Sequence, residues 1–244
     1  MNNSNPLYAG KAKTLYPSAT PQQLICHFRD DTSAFDGQKM EPLKNKGLVN
    51  NYFNAFIMQY LSDLGIETHF IQRENNTDSL VKALTMIPVE CVVRNVAAGS
   101  LCRRLGTTEG QRLTPPVFEF FLKNDALHDP FINEHHIRTF GWATDIEIQQ
   151  MQTYALQINQ HLTELFKKAN IILVDYKLEF GRLNHKIVLG DEFTPDGCRL
   201  WDQSTLHKLD KDRFRKGLGN VVESYIEVAQ RLGITLPIEA KPSK

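Results

Sequence analysis

The sequence predicts an α+β fold, with a mostly antiparallel, strand-rich first lobe and a helix-rich second part. Two observations carry this. Short runs of β-branched and aromatic residues between polar turns crowd the first part of the chain, and long stretches with apolar residues at helical spacing dominate the rest. A third observation sharpens it. The segment "IILVDYKLEFG" opens on an unbroken apolar run, Ile171 to Val174, as in a strand buried on both sides. It then alternates, which puts Asp175, Lys177 and Glu179 on one face. Burying three charges costs several kcal/mol unless they pair with each other, a metal or a ligand. At 244 residues the chain can bury one large core or two small lobes around a cleft, and without repeats or long linkers one compact unit is expected.

The strands are expected in "GKAKTLYPS", "QLICHFRDD", "IETHFIQ" and "PVECVVRNV". A first helix is expected from about Gly47 to Leu64, where Phe53, Phe56, Ile57, Tyr60, Leu61 and Leu64 share a face and Gly65 is the stop. A second starts at a capping box, Thr144 with Glu147, and carries Ile148, Met151, Ala155, Ile158, Leu162, Leu165 and Ala169. A third follows "DKDRFRKG" with Leu218, Val221, Tyr225, Ala229 and Leu232 before Gly233. These stripes read as core. Between the second and third helices, "IILVDYKLEFG" turns at "RLNH" and returns as "KIVLGDEF", bringing Asp191 near the charged face. The register is open: Asp191 lies beside either Glu179 or Lys177.

Twenty-eight basic and twenty-eight acidic side chains cancel, so no overall field draws the chain to nucleic acid or an anionic membrane, and any anion site is local. No run of eighteen apolar residues is present, and the start lacks the apolar stretch of a signal peptide, so a cytoplasmic protein is expected. Cys26, Cys91, Cys102 and Cys198 lie far apart without a C-x-x-C pair, which argues against a zinc site or a disulfide framework; Cys91 is a core candidate. The pair His135–His136 lacks a zinc-binding pattern and reads as a solvated loop.

Three local features could bind an ion, each weak alone. In "AGKAKTLY", Gly10 precedes Lys11, Ala12 and Lys13; on a strand the two ammonium groups would share a face, although an exposed edge strand explains the pattern better than a phosphate cradle. In "VECVVRNVAAGSLCRRLG", Arg94 ends an apolar strand and a small-residue turn leads to Ser100 at a helix start. A phosphate site there, with Arg199 as a second fork, balances against a plain N-cap with Arg103 and Arg104 in solvent. In the hairpin, Glu179 and Asp191 are hard oxygen ligands that suit magnesium, and Lys177 suits a substrate carboxylate; a self-paired charged face is the alternative. Two further stretches, "FFLKNDALHDPFI" with Lys123, Asp125 and Asp129, and "DTSAFDG" with Ser33 and Asp36, each read alone as plain turns.

Taken together, "GKAKTLY", "DTSAFDG", "KNKGLVNNYFN", "PVECVVRNVAAGSL", "FFLKNDALHDPFI", "ILVDYKLEFG" and "LGDEFTPDGCRLWD", in this order, resemble the phosphoribosylaminoimidazole-succinocarboxamide synthases, or SAICAR synthetases, of purine biosynthesis. The resemblance runs from about Tyr8 to Gly233. It implies two lobes with ATP in the cleft between them, as in kinases, a β-rich lobe over 1–87 and a larger mixed α/β substrate lobe over 88–244. It also implies an ATP-dependent, ADP-forming ligase that joins 5-amino-4-carboxyimidazole ribonucleotide (CAIR) to L-aspartate, by way of an acyl phosphate.

Carried over segment by segment, the resemblance assigns Gly10, Lys11, Ala12 and Lys13 to the ATP phosphates, with Lys123 beside them. Lys82, Leu84 and Met86 fall in the family's adenine-binding linker, a stretch that composition alone would make a helix end. Glu179 and Asp191 would hold magnesium. Arg94, Ser100 and Arg199 would grip the ribonucleotide 5′-phosphate, with Asp175, Lys177 and Asp129 around its ribose and carboxylate. Ser33, Lys211 and Arg215 are the candidates for the aspartate carboxylates, and Asp36 is a further substrate contact. Lys177, Asp129 and Lys123 would stand nearest the chemistry, and the proton acceptor is either Asp129 or the departing phosphate. The resemblance further implies an oligomer, taken as a homodimer. The rival readings are a small-molecule kinase and a nucleotide sensor without turnover.

Overall fold

The computed structural model describes residues 5–34 and 39–238. Asp36, an expected substrate contact, lies outside the described residues. The chain opens with β1 (Tyr8–Ala9), β2 (Lys13–Pro17) and β3 (Gln23–Phe28), then a separate hairpin of β4 (Asp31–Ala34) and β5 (Lys39–Pro42). Helix α1 (Lys46–Asp63) leads to β6 (Phe70–Arg73) and β7 (Asp78–Lys82), which complete a five-stranded antiparallel sheet in the order β1-β2-β3-β7-β6.

The rest of the chain builds the larger lobe from β8 (Thr85–Val96), α2 (Ser100–Leu105), β9 (Arg112–Leu122), β10 (Phe131–Ile132), α3 (Glu134–Thr139), α4 (Asp145–Lys168), β11 (Ile171–Leu183), β12 (Lys186–Gly190), β13 (Cys198–Asp202), α5 (Asp212–Arg215) and α6 (Val221–Arg231). Its six-stranded antiparallel sheet runs β10-β9-β8-β11-β12, with β13 also on β11. The expected two-lobed α+β fold is therefore present. Only Ala83 and Leu84 separate β7 from β8, so the stretch around Lys82, Leu84 and Met86 is an extended link and not the helix end that composition suggests. Beside this link the sheets are stitched together: His69 N–H donates to the Leu189 carbonyl at 2.8 Å and Lys82 N–H to the His69 carbonyl at 2.7 Å.

The helices form for local reasons that can be named. At the start of α1, Asp30 accepts from the N–H groups of Asn45 (3.2 Å) and Gly47 (2.9 Å), so an acid from the preceding segment caps the helix. Gly47 packs against β3 so closely that a Cβ would lie 2.9 Å from the Phe28 carbonyl carbon. Phe53, Ile57 and Leu61 are buried as expected, whereas Leu64 is exposed where the helix ends. For α4, the capping box at Thr144 and Glu147 is realised in both directions, and Ile148, Met151, Ala155, Ile158 and Leu162 are buried against the large sheet. Burying that stripe contributes roughly 25 cal/mol for each Å² of apolar surface removed from water. Thr144→Ala leaves the Glu147 N–H unpaired and is expected to cost about 1 kcal/mol, read as a fall in Tm of about 2–4 °C.

Several expectations need correction. Leu218 is half exposed and precedes α6, because Gly217 and Gly219 both take left-handed φ and turn the chain before the helix begins at Val221. His135 and His136 lie on α3, not in a loop, and His136 Nδ1 accepts from the Asn133 N–H at 3.0 Å to close a capping box. Lys11 and Lys13 do not share a strand face. The chain turns at Gly10 to Ala12, held by Arg29, whose Nη2 donates to the Gly10 carbonyl at 2.6 Å and whose N–H donates to the Ala12 carbonyl at 2.8 Å. All four cysteines are free, with Cys91 buried in the core as expected.

Candidate active site

The middle of β11 is where the sheet changes neighbours. On one flank it pairs with β8 along most of its length; on the other it pairs with β13 up to Tyr176 and with β12 from Glu179 onward. Between them, the Lys177 N–H donates to the Gly197 carbonyl at 3.0 Å, and the loop over 191–197 crosses the gap. Both faces of the strand are buried here: Val174, Tyr176, Leu178 and Phe180 in the core, Asp175 and Glu179 on the other side. The two acids anticipated from the alternation are therefore buried, Lys177 between them is half-buried, and each of the three is paired.

Glu179, opposite Gly190 in the hairpin, sits between Lys123 and Lys177. Asp191 follows with φ +55, and this left-handed turn carries its carboxylate to Lys13 and to within 3.4 Å of Lys177 Nζ. The open register is decided by the pairing of Glu179 with Gly190: Asp191 lies just beyond the last paired residue, and its side chain reaches Lys177. Lys177 also lies 3.2 Å from Glu90, and Lys13 lies 3.9 Å from Glu192. Burial disfavours the charged form of Lys13 and Lys177, but the facing carboxylates outweigh it and raise both ammonium groups above the ordinary lysine value. Burial pushes Asp191 up, yet Lys13 and Lys177 prevail and hold it well below the usual carboxylate range. Glu90 and Glu192 are shifted the other way, upward, chiefly by burial.

Two residues further back along the same face of β11 begins a chain of alternating charges. Arg104 Nη2 donates to Glu119 (2.6 Å), which accepts from Arg94 Nε (2.7 Å); Arg94 Nη1 donates to Asp175 (2.8 Å), which accepts from Arg199 Nη1 (2.9 Å). Arg199 Nε continues to Asp212 (2.9 Å), which accepts from Arg215 Nη1 (2.6 Å). Arg94 Nη2 meets Ser100 Oγ at 3.2 Å, and Arg199 is pressed against Gly99, where a Cβ would lie 2.7 Å from Cζ. Arg94, Ser100, Asp175 and Arg199 thus meet in one cradle, and Arg103 and Arg104 are not both idle in solvent.

Other expected residues sit around this axis. Lys11 pairs with Asp125 at 2.8 Å on the exposed rim, and the Asp129 carboxylate accepts from the Asn124 N–H at 2.8 Å just beyond Lys123. Lys82 Nζ donates to the Thr68 carbonyl at 3.1 Å, while Leu84 and Met86 cover Gly181 and Gly190; a Cβ on Gly181 would lie 2.7 Å from Leu84 Cβ. This places the link between the sheets next to Asp191. Lys211 is half-buried, and desolvation lowers its ammonium below the ordinary lysine value. Ser33 is buried in β4, opposite Met40.

The family model described as SAICAR synthetase matches residues 6–232. A phosphoribosylaminoimidazole-succinocarboxamide synthase of Acidithiobacillus ferrooxidans is 63% identical over 237 residues, covering 97% of this chain and 99% of that protein. The chain belongs to the SAICAR synthetase family. Among solved structures, the synthase of Ehrlichia chaffeensis superposes with a TM-score of 0.93 at 45% identity, covering 95% of this chain and 99% of that one. A SAICAR synthetase in complex with ADP gives 0.92 at 44% identity, covering 95% and 99%.

Within this SAICAR synthetase fold, sequence reasoning missed Glu90, Glu119, Glu192, Asp212 and His69. Glu90 had a signal, since it alternates onto the same face of β8 as Arg94 and pairs across the sheet with Glu179. Glu192 had none, because a residue in the 191–197 loop has no face until the loop is placed. His69 is buried at the stitch between the sheets, its Nε2 without a hydrogen-bond partner among the described residues; burial foremost, then Lys13, lowers its imidazole to about 4, so it is neutral.

Proposed function

We propose that the chain joins CAIR to L-aspartate as an amide, converting ATP to ADP and phosphate. The observation that carries this reading is the shared face of β11. The lysine–carboxylate cluster around Lys177 and the arginine cradle around Asp175 sit about 7 Å apart along one strand, two residues at ~3.3 Å each. A nucleotide triphosphate at the first and a ribonucleotide phosphate at the second would bring their reacting ends together between the sites. The family relationship, and a relative in complex with ADP, support the same assignment.

The chemistry needs activation because a carboxylate resists attack by an amine. In the proposed step, the CAIR carboxylate oxygen bonds to the γ-phosphorus as the bond to the ADP oxygen breaks, leaving an acyl phosphate. The aspartate ammonium gives up one proton, to Asp129 or to the phosphoryl group, so that its nitrogen can bond to that carbonyl carbon; phosphate then departs with the C–O bonding pair, and the second nitrogen proton leaves with it to give the amide N–H. Lys13, Lys123 and Lys11 would neutralise the ATP phosphates beside the Lys82–Met86 link, and Lys177 would hold the CAIR carboxylate in line. Arg94, Ser100 and Arg199 would take the 5′-phosphate, with Arg215, Lys211 and Ser33 as the remaining substrate contacts.

Magnesium fits the donor set. Glu179 and Asp191 offer two hard carboxylate oxygen donors in one cluster, bridged by Lys177. That suits an ion which takes one or two carboxylates and fills its other positions with phosphate oxygens and water. When bound, it would neutralise charge on the triphosphate.

The deciding experiment measures ADP release with each substrate omitted in turn and follows 15N from labelled aspartate. ADP release that requires both CAIR and aspartate, with the label in the product, is expected; ADP without incorporated nitrogen would instead identify a kinase. Gly99→Ala gives a second test. At φ +58 and ψ −126 the backbone conformation is closed to L side chains, and the new methyl would displace Arg199. The KM for CAIR should rise by about tenfold or more while that for ATP holds. The reading extends to a cytoplasmic homodimer, for which light scattering should report twice 27.9 kDa. No described helix is long and apolar enough to cross a membrane.

A further inference from the structure

We infer that Asp212 is a positioning residue that holds Arg199 and Arg215 together as one anion-binding unit for the ribonucleotide; this rests on the function proposed above. Asp212 is buried, and its two oxygens are divided between the arginines, Oδ2 to Arg199 Nε at 2.9 Å and Oδ1 to Arg215 Nη1 at 2.6 Å. With Nε held by Asp212 and Nη1 by Asp175, the Arg199 guanidinium is fixed at two of its three nitrogens, and Nη2 is directed at Gly99 beside Ser100. A long side chain that is free loses rotamer entropy on gripping a ligand; one held at two points has lost it already.

Asp212 is itself anchored from below. Asp210, which is completely buried, accepts from the Asp212 N–H through Oδ1 at 2.7 Å and from the Leu200 N–H through Oδ2 at 2.8 Å. The turn carrying Asp212 is thereby tied to the strand that carries Arg199, so acid and base keep their spacing. Arg215, on the last turn of the short α5, is partly exposed and pairs with Asp212. Burial pushes the Asp212 carboxyl up, but Arg199 and Arg215 outweigh it and lower it below the ordinary value, so the acid is ionised at neutral pH.

Charge and position make opposite predictions, which gives the inference a clean test. The chain from Arg104 to Arg215 holds four arginines and three carboxylates. Neutralising one carboxylate makes the site more positive, so if field strength alone governed binding, Asp212→Asn would tighten it. Positioning predicts the reverse: the amide offers one acceptor oxygen for two guanidinium groups, and Arg199 and Arg215 come apart.

The experiment is steady-state kinetics of the full-length protein with CAIR as the varied substrate. Asp212→Asn is expected to raise the KM for CAIR about tenfold, with kcat and the KM for ATP changed by less than about twofold. In an Arg199→Lys background the effect of Asp212→Asn should shrink, since the residue it acts through has lost its fork; additive effects would mark a merely structural role. An unchanged or lowered KM for CAIR overturns the inference. If Asp212→Asn does not fold, Asp212→Glu, which keeps the charge but moves it by one methylene, is read by the same ratio. Should wild-type protein release no ADP in response to CAIR and aspartate, the proposed function itself fails, and that result is separate from any behaviour of the variants.

Discussion

Asp191→Asn is expected to lower ADP-forming turnover by about 10²-fold or more, the scale seen when a preorganised charge at a reacting centre is lost. The substitution is unusually clean. Asp191 sits at φ +55, a left-handed conformation that asparagine tolerates nearly as well as aspartate, so the loop over 191–197 keeps its path. What changes is charge: Lys13 loses its closest carboxylate and Lys177 one of three. Breaking a buried pair costs about 3 kcal/mol or more, against a domain stability of roughly 5–15 kcal/mol. The protein should remain folded, because Glu192 still faces Lys13 and Glu179 and Glu90 still face Lys177. Circular dichroism checks the fold and coupled ADP release checks the rate; wild-type turnover would refute Asp191 as a metal and phosphate residue. The pH dependence has a definite sign. The carboxyl is depressed in the folded protein, so its contribution to stability is present above its unfolded value near pH 3.9 and is lost as pH falls toward the folded value. Asp191→Asn should lack that component of acid destabilisation.

Much of this site was legible because it lies on regular structure. Once "IILV" marks a strand buried on both sides, alternation alone puts Asp175, Lys177 and Glu179 on one face, and desolvation then demands partners for them. The capping box at Thr144 and Glu147 was legible for the same reason, being a local pattern with a local cause. Identity of the partners was not. Arg199 meets Asp175 because β13 pairs with the first half of β11, and Lys13 meets Asp191 across the two lobes; neither fact has a sequence period.

The misplaced lysine pair shows the limit well. "GKAKT" has the alternation of a strand, yet Arg29, sixteen residues beyond Lys13, takes the carbonyls of Gly10 and Ala12 and bends the segment, leaving Lys11 on the rim and Lys13 inside. Likewise α1 is capped by Asp30 from a separate segment, so no capping pattern precedes Lys46. Long-range hydrogen bonds overrode local propensity at both places, and both lie beside the proposed nucleotide cleft.

The largest effect on stability is expected at Lys46. This ammonium is completely buried, 2.6 Å from Asp196 Oδ2 and 2.9 Å from the Asp31 carbonyl. Asp196 also accepts from Tyr225 Oη at 2.8 Å and Asn50 Nδ2 at 2.9 Å, so one carboxylate ties α1, the 191–197 loop and α6 together. Burial pushes Asp196 up, but Lys46 and Lys211 outweigh it and hold it far below the ordinary range. Lys46→Met removes the nearest cation and leaves that charge buried with two neutral donors and a more distant lysine. The expected cost is about 3–5 kcal/mol, read as a Tm lowered by about 6–20 °C at ~2–4 °C per kcal/mol. Replacing both partners, as Lys46→Met with Asp196→Leu, removes the uncompensated charge and should recover part of that loss, although Tyr225 and Asn50 then lose their acceptor. Thermal melts of the two single variants and the double variant close the cycle. If the double variant is as unstable as the sum of the singles, the pair is not a coupled buried ion pair. A melt series toward acid pH gives an independent check. Because the folded carboxyl is depressed, Asp196 supplies stability above about pH 3.9 and loses it as pH falls, and Asp196→Leu should flatten that limb of the profile.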